Sequence, residues 1–213
     1  AMKVKFVDGF LIRNTLDDDF GNICKYDNSL SRLAPEFYIP EDEIWIDHCF
    51  KDEKNFILAV DDFIRTFKFN NTEIRDELRK KFCLSGTKPN LIIKSQVIDG
   101  VKIQDMDGAL VRQYLDPEFI FGGHDLVYSD YIPLGEIWLD AKMDPAEREF
   151  ILLHEQVERD LMSQGKSYDV AHEFATVSDK ELRRARGVGF YPGDANYPWR
   201  GLSNAEIINK YYV

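Results

Sequence analysis

The chain states one pattern twice and places metal-ligating side chains in only one of the two copies. Tyr38-Ile39-Pro40, Glu43-Ile44-Trp45-Ile46-Asp47 and Phe56-Ile57-Leu58 return as Tyr131-Ile132-Pro133, Glu136-Ile137-Trp138-Leu139-Asp140 and Phe150-Ile151-Leu152. Upstream, Asp8-Gly9, Leu11-Ile12-Arg13 and Leu16-Asp17 return as Asp107-Gly108, Leu110-Val111-Arg112 and Leu115-Asp116. The register shifts between blocks, which puts the insertions in loops. Solenoids stack many short units, whereas two units of about a hundred residues are each the size of a domain. The expectation is therefore an α+β protein built by tandem duplication of a small strand-plus-helices unit. Residues 1–90 form a degenerate first copy, and residues 91–213 form a second copy that carries the chemistry.

Shared positions build the scaffold; unshared ones are free to work. By that test Glu43/Glu136, Trp45/Trp138, Arg13/Arg112 and Asp47/Asp140 are structural, although Asp140 alone could orient a ligand histidine. The second copy runs into His154-Glu155-Gln156-Val157-Glu158, where the first reads Val60-Asp61-Asp62-Phe63-Ile64.

Local signals place these residues on elements. Glu43–Asp47 and Glu136–Asp140 alternate as strands. Val4–Phe6 and Phe10–Ile12 read as short strands turning at Asp8-Gly9, with the same turn repeated at Asp107-Gly108. Asp144-Pro145-Ala146-Glu147 opens a helix with a capping Asp, Pro at the first helical position and Glu three residues after the cap; Gly165 ends it near Ser163. Ser167 opens a second helix to Arg186, on which Val170, Phe174, Val177 and Leu182 recur at helical spacing. First-copy helices are expected over 52–67 and 72–82, a strand near 91–93, and a capping box from Ser203 to Glu206 before a short last helix.

On an α-helix His154 and Glu158 stand one turn apart on one face. Zinc enzymes grip their ion this way, with two ligands at i and i+4 and the intervening Glu as general base. Here the second ligand is Glu158. A catalytic zinc site takes three protein ligands and leaves a place for water, and His172 is the candidate third. Glu158 and His172 each lie about five residues, or roughly 7 Å, from the loop joining the two helices, so an antiparallel hairpin brings them level. Zinc is the first choice of cation; manganese or iron accepts similar donors. His124, after Gly122-Gly123, is an alternative ligand or a donor on a glycine-rich turn.

With 38 acidic residues in 213, an acidic side chain falls at any chosen place too often for HExxE alone to define a site. The weight comes from Phe150, Ile151, Leu152, Leu153, Val157 and Leu161, which make much of this helix apolar, because buried charges need partners or a metal.

The run from Glu136 through Asp144-Pro145-Ala146-Glu147-Arg148 to His154-Glu155 resembles the strand, loop and active helix of small zincin-like metallopeptidases of the ImmA/IrrE kind. It is also similar to uncharacterised bacterial and phage proteins with His-Glu-x-x-Glu-Arg followed by Tyr-x-x-Ala-His, here Tyr168 to His172. The resemblance covers residues 131–175. It implies that Glu155 activates water, that His154 is a ligand, and that Glu136–Asp140 offers its edge to an extended peptide. Glu158 stands where that family has His.

Composition narrows the alternatives. The formal charge of -11 repels a phosphate backbone, and no basic-aromatic cluster offsets it, so nucleic acid is not an expected partner. No apolar run approaches the roughly 18 residues of a membrane span and no signal peptide opens the chain, which predicts a cytoplasmic protein. Cys24, Cys49 and Cys83 lack metal spacing and read as small buried residues. The expected function is zinc-dependent hydrolysis of a peptide or protein substrate. The other reading is a non-catalytic interaction module, phage or mobile-element derived, whose acidic surface meets a basic partner.

Overall fold

The computed structural model describes residues 2–25, 39–66 and 71–213. Tyr38, Phe67 and the 26–37 segment lie outside them. The architecture is α+β, with two mixed sheets and seven α-helices among the described residues. In chain order these are β1 Lys3–Val7, α1 Gly9–Thr15, β2 Ile23–Lys25, β3 Glu43–Asp47, α2 Lys54–Thr66, α3 Asn71–Phe82, β4 Ile92–Ile98 and β5 Val101–Met106. Then follow α4 Gly108–Tyr114, β6 Gly122–His124, β7 Glu136–Asp140, α5 Arg148–Ser163, α6 Tyr168–Ala185 and α7 Asn204–Tyr211. Short 3-10 segments, His48–Glu53 and Pro145–Glu147, precede α2 and α5.

Contacts group the chain into two compact units, residues 1–54 with 180–213, and residues 55–179. That line follows packing and the division at residue 90 follows the repeat, so the two cut the chain differently. No helix among the described residues is long and apolar enough to cross a membrane.

In the first unit the strand order is β1-β3-β2, with β1 parallel and β2 antiparallel to β3. The second unit has the order β4-β5-β7-β6 and the same directions around its inner strand, β5 parallel and β6 antiparallel to β7. The registers match as well: Val7 pairs with Asp47 and Met106 with Asp140, while Cys24 pairs with Trp45 and Gly123 with Trp138. β3 and β7 are buried along their whole length, so their alternating sequence marks two covered faces rather than one.

Phe10–Ile12 and its counterpart are helical, not strands. Asp8 and Asp107 cap α1 and α4, their carboxylates accepting from the backbone N–H of Leu11 and Leu110. That capping bond satisfies an orphan helix donor, which a turn between two strands would not need. The helices then aim Arg13 and Arg112 at the ends of the inner strands, where Arg13 meets Asp47 at 3.1 Å and Arg112 meets Asp140 at 2.6 Å, all four side chains buried. Trp45 and Trp138 each donate to Glu43 and Glu136 at 2.8 Å. The shared acidic, basic and aromatic positions are thus scaffold.

The tail secures the first unit. Tyr197 donates to the Thr15 carbonyl, Trp199 to the Tyr211 hydroxyl and Tyr212 to Glu43, while Trp45 and Tyr211 sit in one apolar core. The expected capping box, Ser203 with Glu206, opens α7.

Candidate metal centre

α5 and the part of α6 up to Asp179 hold the centre, both within the second unit. Asp144 caps the 3-10 turn through the Ala146 N–H, Pro145 occupies its first position, and α5 then runs to Ser163. Gly165 adopts φ +89, the left-handed conformation that lets a chain leave a helix. α6 starts directly after Ser167, as its sequence indicates. Its inner face carries the fully buried Ala171 and Ala175, small enough for close packing, whereas Val170, Phe174 and Val177 are exposed. The apolar spacing that marks α6 as helical therefore lies on its outer side.

The hairpin brings His154, Glu158 and His172 together. His172 Nδ1 lies 2.6 Å from Glu158 Oε2, His154 Nε2 lies 3.2 Å from His172 Nδ1, and His154 Nε2 lies 3.6 Å from Glu158 Oε2. Glu158 is buried, His154 half-buried and His172 exposed on its far side. Tyr168 stacks on the His172 ring, with centroids 5.3 Å apart.

A proton and a cation compete for this triangle. If both ring nitrogens carry hydrogen, two N–H groups confront each other across 3.2 Å; with hydrogen on His172 Nδ1 alone, that one N–H is shared between Glu158 Oε2 at 2.6 Å and His154 Nε2 at 3.2 Å. A cation satisfies all three edges together. Tetrahedral bonds of about 2.0–2.1 Å set ligand atoms about 3.3–3.4 Å apart; the two edges at His154 Nε2, 3.2 and 3.6 Å, bracket that spacing, and the 2.6 Å edge between His172 and Glu158 would open to admit the ion. Two imidazoles and a carboxylate suit zinc and are shared with other divalent transition metals.

Charge is concentrated in the centre. Burial alone would raise the Glu158 carboxyl, but hydrogen bonds from His124, His154 and His172 hold it well below the usual carboxylate range. Burial would lower the His154 imidazole, yet Asp179 and Glu158 together push it up to about 10. Glu155, partly exposed as a residue but with its carboxyl enclosed, is pushed up to about 7 by burial and by the Glu158 charge, against the pull of the histidines.

Two features of the site are not evident in the motif. Asp179, two turns beyond His172 on α6, places Oδ2 2.9 Å from His154 Nδ1. This carboxylate–histidine pair fixes the ring with Nε2 toward the other donors. Its only sequence trace is the seven-residue spacing from His172.

His124 is neither on a loop nor on the surface. It ends strand β6, fully buried, with Nε2 3.0 Å from Glu158 Oε1. Gly122 and Gly123 make this approach possible, because a β-carbon on Gly122 would press on Ile151 and Glu155, and one on Gly123 would strike the Tyr128 ring. Beside it, Asp125, the residue after β6, takes a two-pronged ion pair from Arg159 at 2.6 and 3.0 Å, so His124-Asp125 and Glu158-Arg159 are joined side by side.

β7, expected to offer a free edge to a peptide, lies between β5 and β6; the edge strand beside α5 is β6. Its inner place follows from its burial on both faces. In the first copy Val60 holds the position of His154 and packs with Phe63 and Leu78, so that helix has an apolar residue where α5 has a candidate ligand. Asp47, His48 and Cys49 also cluster, but Asp47 is engaged by Arg13, and His48 has no counterpart in the second copy. In comparisons with protein-family models, curated proteins and solved structures, nothing matches the chain.

Proposed function

We propose that this protein is a metal-dependent hydrolase, with zinc the first choice of cation and a peptide bond the first choice of substrate. The observation that carries the reading is the convergence of His154 Nε2, His172 Nδ1 and Glu158 Oε2, two imidazole nitrogens and a carboxylate oxygen, within 3.6 Å of one another. A zinc ion bound there supplies Lewis acidity toward a carbonyl oxygen and lowers the pKa of water to about 7. The chain's own residues do the rest. Asp179 holds the His154 ring in its ligating orientation, Glu158 contributes the one anionic donor, and the exposed side of His172 leaves the centre open to a substrate. Glu155, whose carboxyl oxygen lies within 4.8 Å of donor atoms on Glu158 and His124, takes the proton from the attacking water. A carboxyl titrating near 7 suits that task, since it accepts a proton and returns it near neutral pH.

The two copies fit a tandem duplication. Matching strand order, directions, register and buried Arg–Asp and Trp–Glu pairs support common descent, with the His154–Glu158–His172 set belonging to the second copy. On this reading the second copy is zincin-like, in keeping with its resemblance to the ImmA/IrrE kind, and the protein works in the cytoplasm.

Metal analysis of the purified protein tests the proposal. One equivalent of zinc, lost in His154→Ala, supports it; a metal-free wild type that takes up no added divalent cation overturns it. Because all three donors come from one helical hairpin, the cation could instead only staple α5 to α6. Glu155→Gln separates the two readings: an enzyme keeps its metal and loses peptide turnover, whereas a staple has no turnover to lose.

A further inference from the structure

We infer that His124 is a positioning residue, which holds Glu158 by Oε1 and so presents Oε2 alone to the metal. The inference rests on the metal reading above and sharpens it, since His124 has ligand chemistry and lies close enough to Glu155 and Glu158 to form a second donor cluster with them.

Its hydrogen bonds decide the role. The backbone N–H of Leu126 donates to His124 Nδ1 at 3.2 Å. A neutral imidazole carries one hydrogen, so with Nδ1 accepting, that hydrogen is on Nε2 and points along the 3.0 Å contact to Glu158 Oε1. To ligate a cation through Nε2, the ring would move its proton to Nδ1, directly against the Leu126 N–H. The turn resists any escape. The His124 carbonyl accepts from Val127 and Tyr128, the Asp125 N–H donates to Glu136, and Asp125 is held by Gly135 and Arg159. The ring is fully buried and cannot swing away.

The relay therefore runs from the Leu126 N–H to His124, from His124 to Glu158 Oε1, and from Glu158 Oε2 to the site shared with His154 and His172. It fixes the carboxylate as a one-oxygen ligand. His124 and Asp179 act alike, each orienting one ligand from behind, one through a strand and the other through a helix.

The test is long-range 1H–15N correlation on 15N-histidine-labelled protein, metal-free and titrated with Zn2+. The chain has four histidines, and His124→Gln, which retains an N–H donor, assigns the signal that disappears. The expected result is the Nε2–H tautomer for His124 in both states, one zinc per chain, and zinc-induced shifts at His154 and His172. His124→Leu should weaken zinc binding about 10- to 100-fold, with His124→Gln recovering much of the loss. Loss of the Nε2 proton on zinc binding, or a second zinc that disappears in His124→Gln, makes His124 a ligand and overturns the inference while the metal reading stands. If wild type binds no zinc, the metal reading itself falls, and this role falls with it. The tautomer is read on wild type, so the decision does not depend on the Leu variant folding.

Discussion

Asp179 Oδ2 lies 2.9 Å from His154 Nδ1, across two helices and 25 residues of sequence. A carboxylate there fixes the ring's orientation and raises its basicity as a ligand. Asp179→Asn keeps the size but removes the charge, and should weaken zinc binding about 10- to 100-fold without displacing α6. Competition against a chromogenic chelator measures the affinity, and circular dichroism checks the helix. An unchanged affinity would reduce the contact to packing.

The same pair makes metal binding depend on pH. In the metal-free protein His154 holds its proton up to about 10, so a cation at Nε2 must displace it. About one proton should be released per zinc near neutral pH, and apparent affinity should tighten roughly tenfold per pH unit between about 7 and 9. Calorimetry in buffers of different ionisation heat counts that proton. Linkage gives the matching sign for the metal-free fold. His154 has a folded value of about 10 against an ordinary 6.5, so its proton stabilises the fold fully below pH 6.5, and this contribution is lost as pH rises through 10.

How much of this was legible follows the range of each interaction. The ends of α5, the HExxE face and the level placement of His172 depend on spacing within a helix and one short connection, which sequence carries directly. The sequence of α1 and α4 reads as strand because Phe10-Leu11-Ile12 is too short for periodicity to separate helix from strand. The decisive signals were Asp8 as a cap and Arg13 reaching Asp47, the latter a contact 34 residues away. Asp179 and the buried place of His124 were hidden for the same reason. Their partners lie on other elements, and nothing in Gly-Gly-His distinguishes a strand packed on a helix from an open turn.

On the proposed hydrolytic reading, Glu155 sets function against stability. Its folded value of about 7 lies above its ordinary 4.5, so the fold gains nothing below pH 4.5 and loses stability as pH rises through 7, where a charge is forced into an enclosed site. Glu155→Gln should leave metal-free stability at pH 4 nearly unchanged and raise it at pH 8 by on the order of 3 kcal/mol. Thermal melts at both values decide it, and equal effects at the two pH values would contradict the assignment.

The scaffold makes one prediction twice. A β-carbon on Gly108 would lie 2.1 Å from Asp140 Oδ1, and one on Gly9 would lie 1.9 Å from Asp47 Oδ2, so each glycine is the space in which a buried Arg–Asp pair sits. Neither carboxylate can retreat without leaving its arginine buried and uncompensated. Gly108→Ala and Gly9→Ala should therefore each cost about 3–5 kcal/mol, the cost of breaking a buried pair. Gly165→Ala provides the control: nothing lies near its added carbon, and only its φ of +89 resists, at about 1–2 kcal/mol. Urea midpoints for the three variants give the ranking. If Gly108→Ala proved no worse than Gly165→Ala, the Arg112–Asp140 contact would not be the keystone of the second sheet.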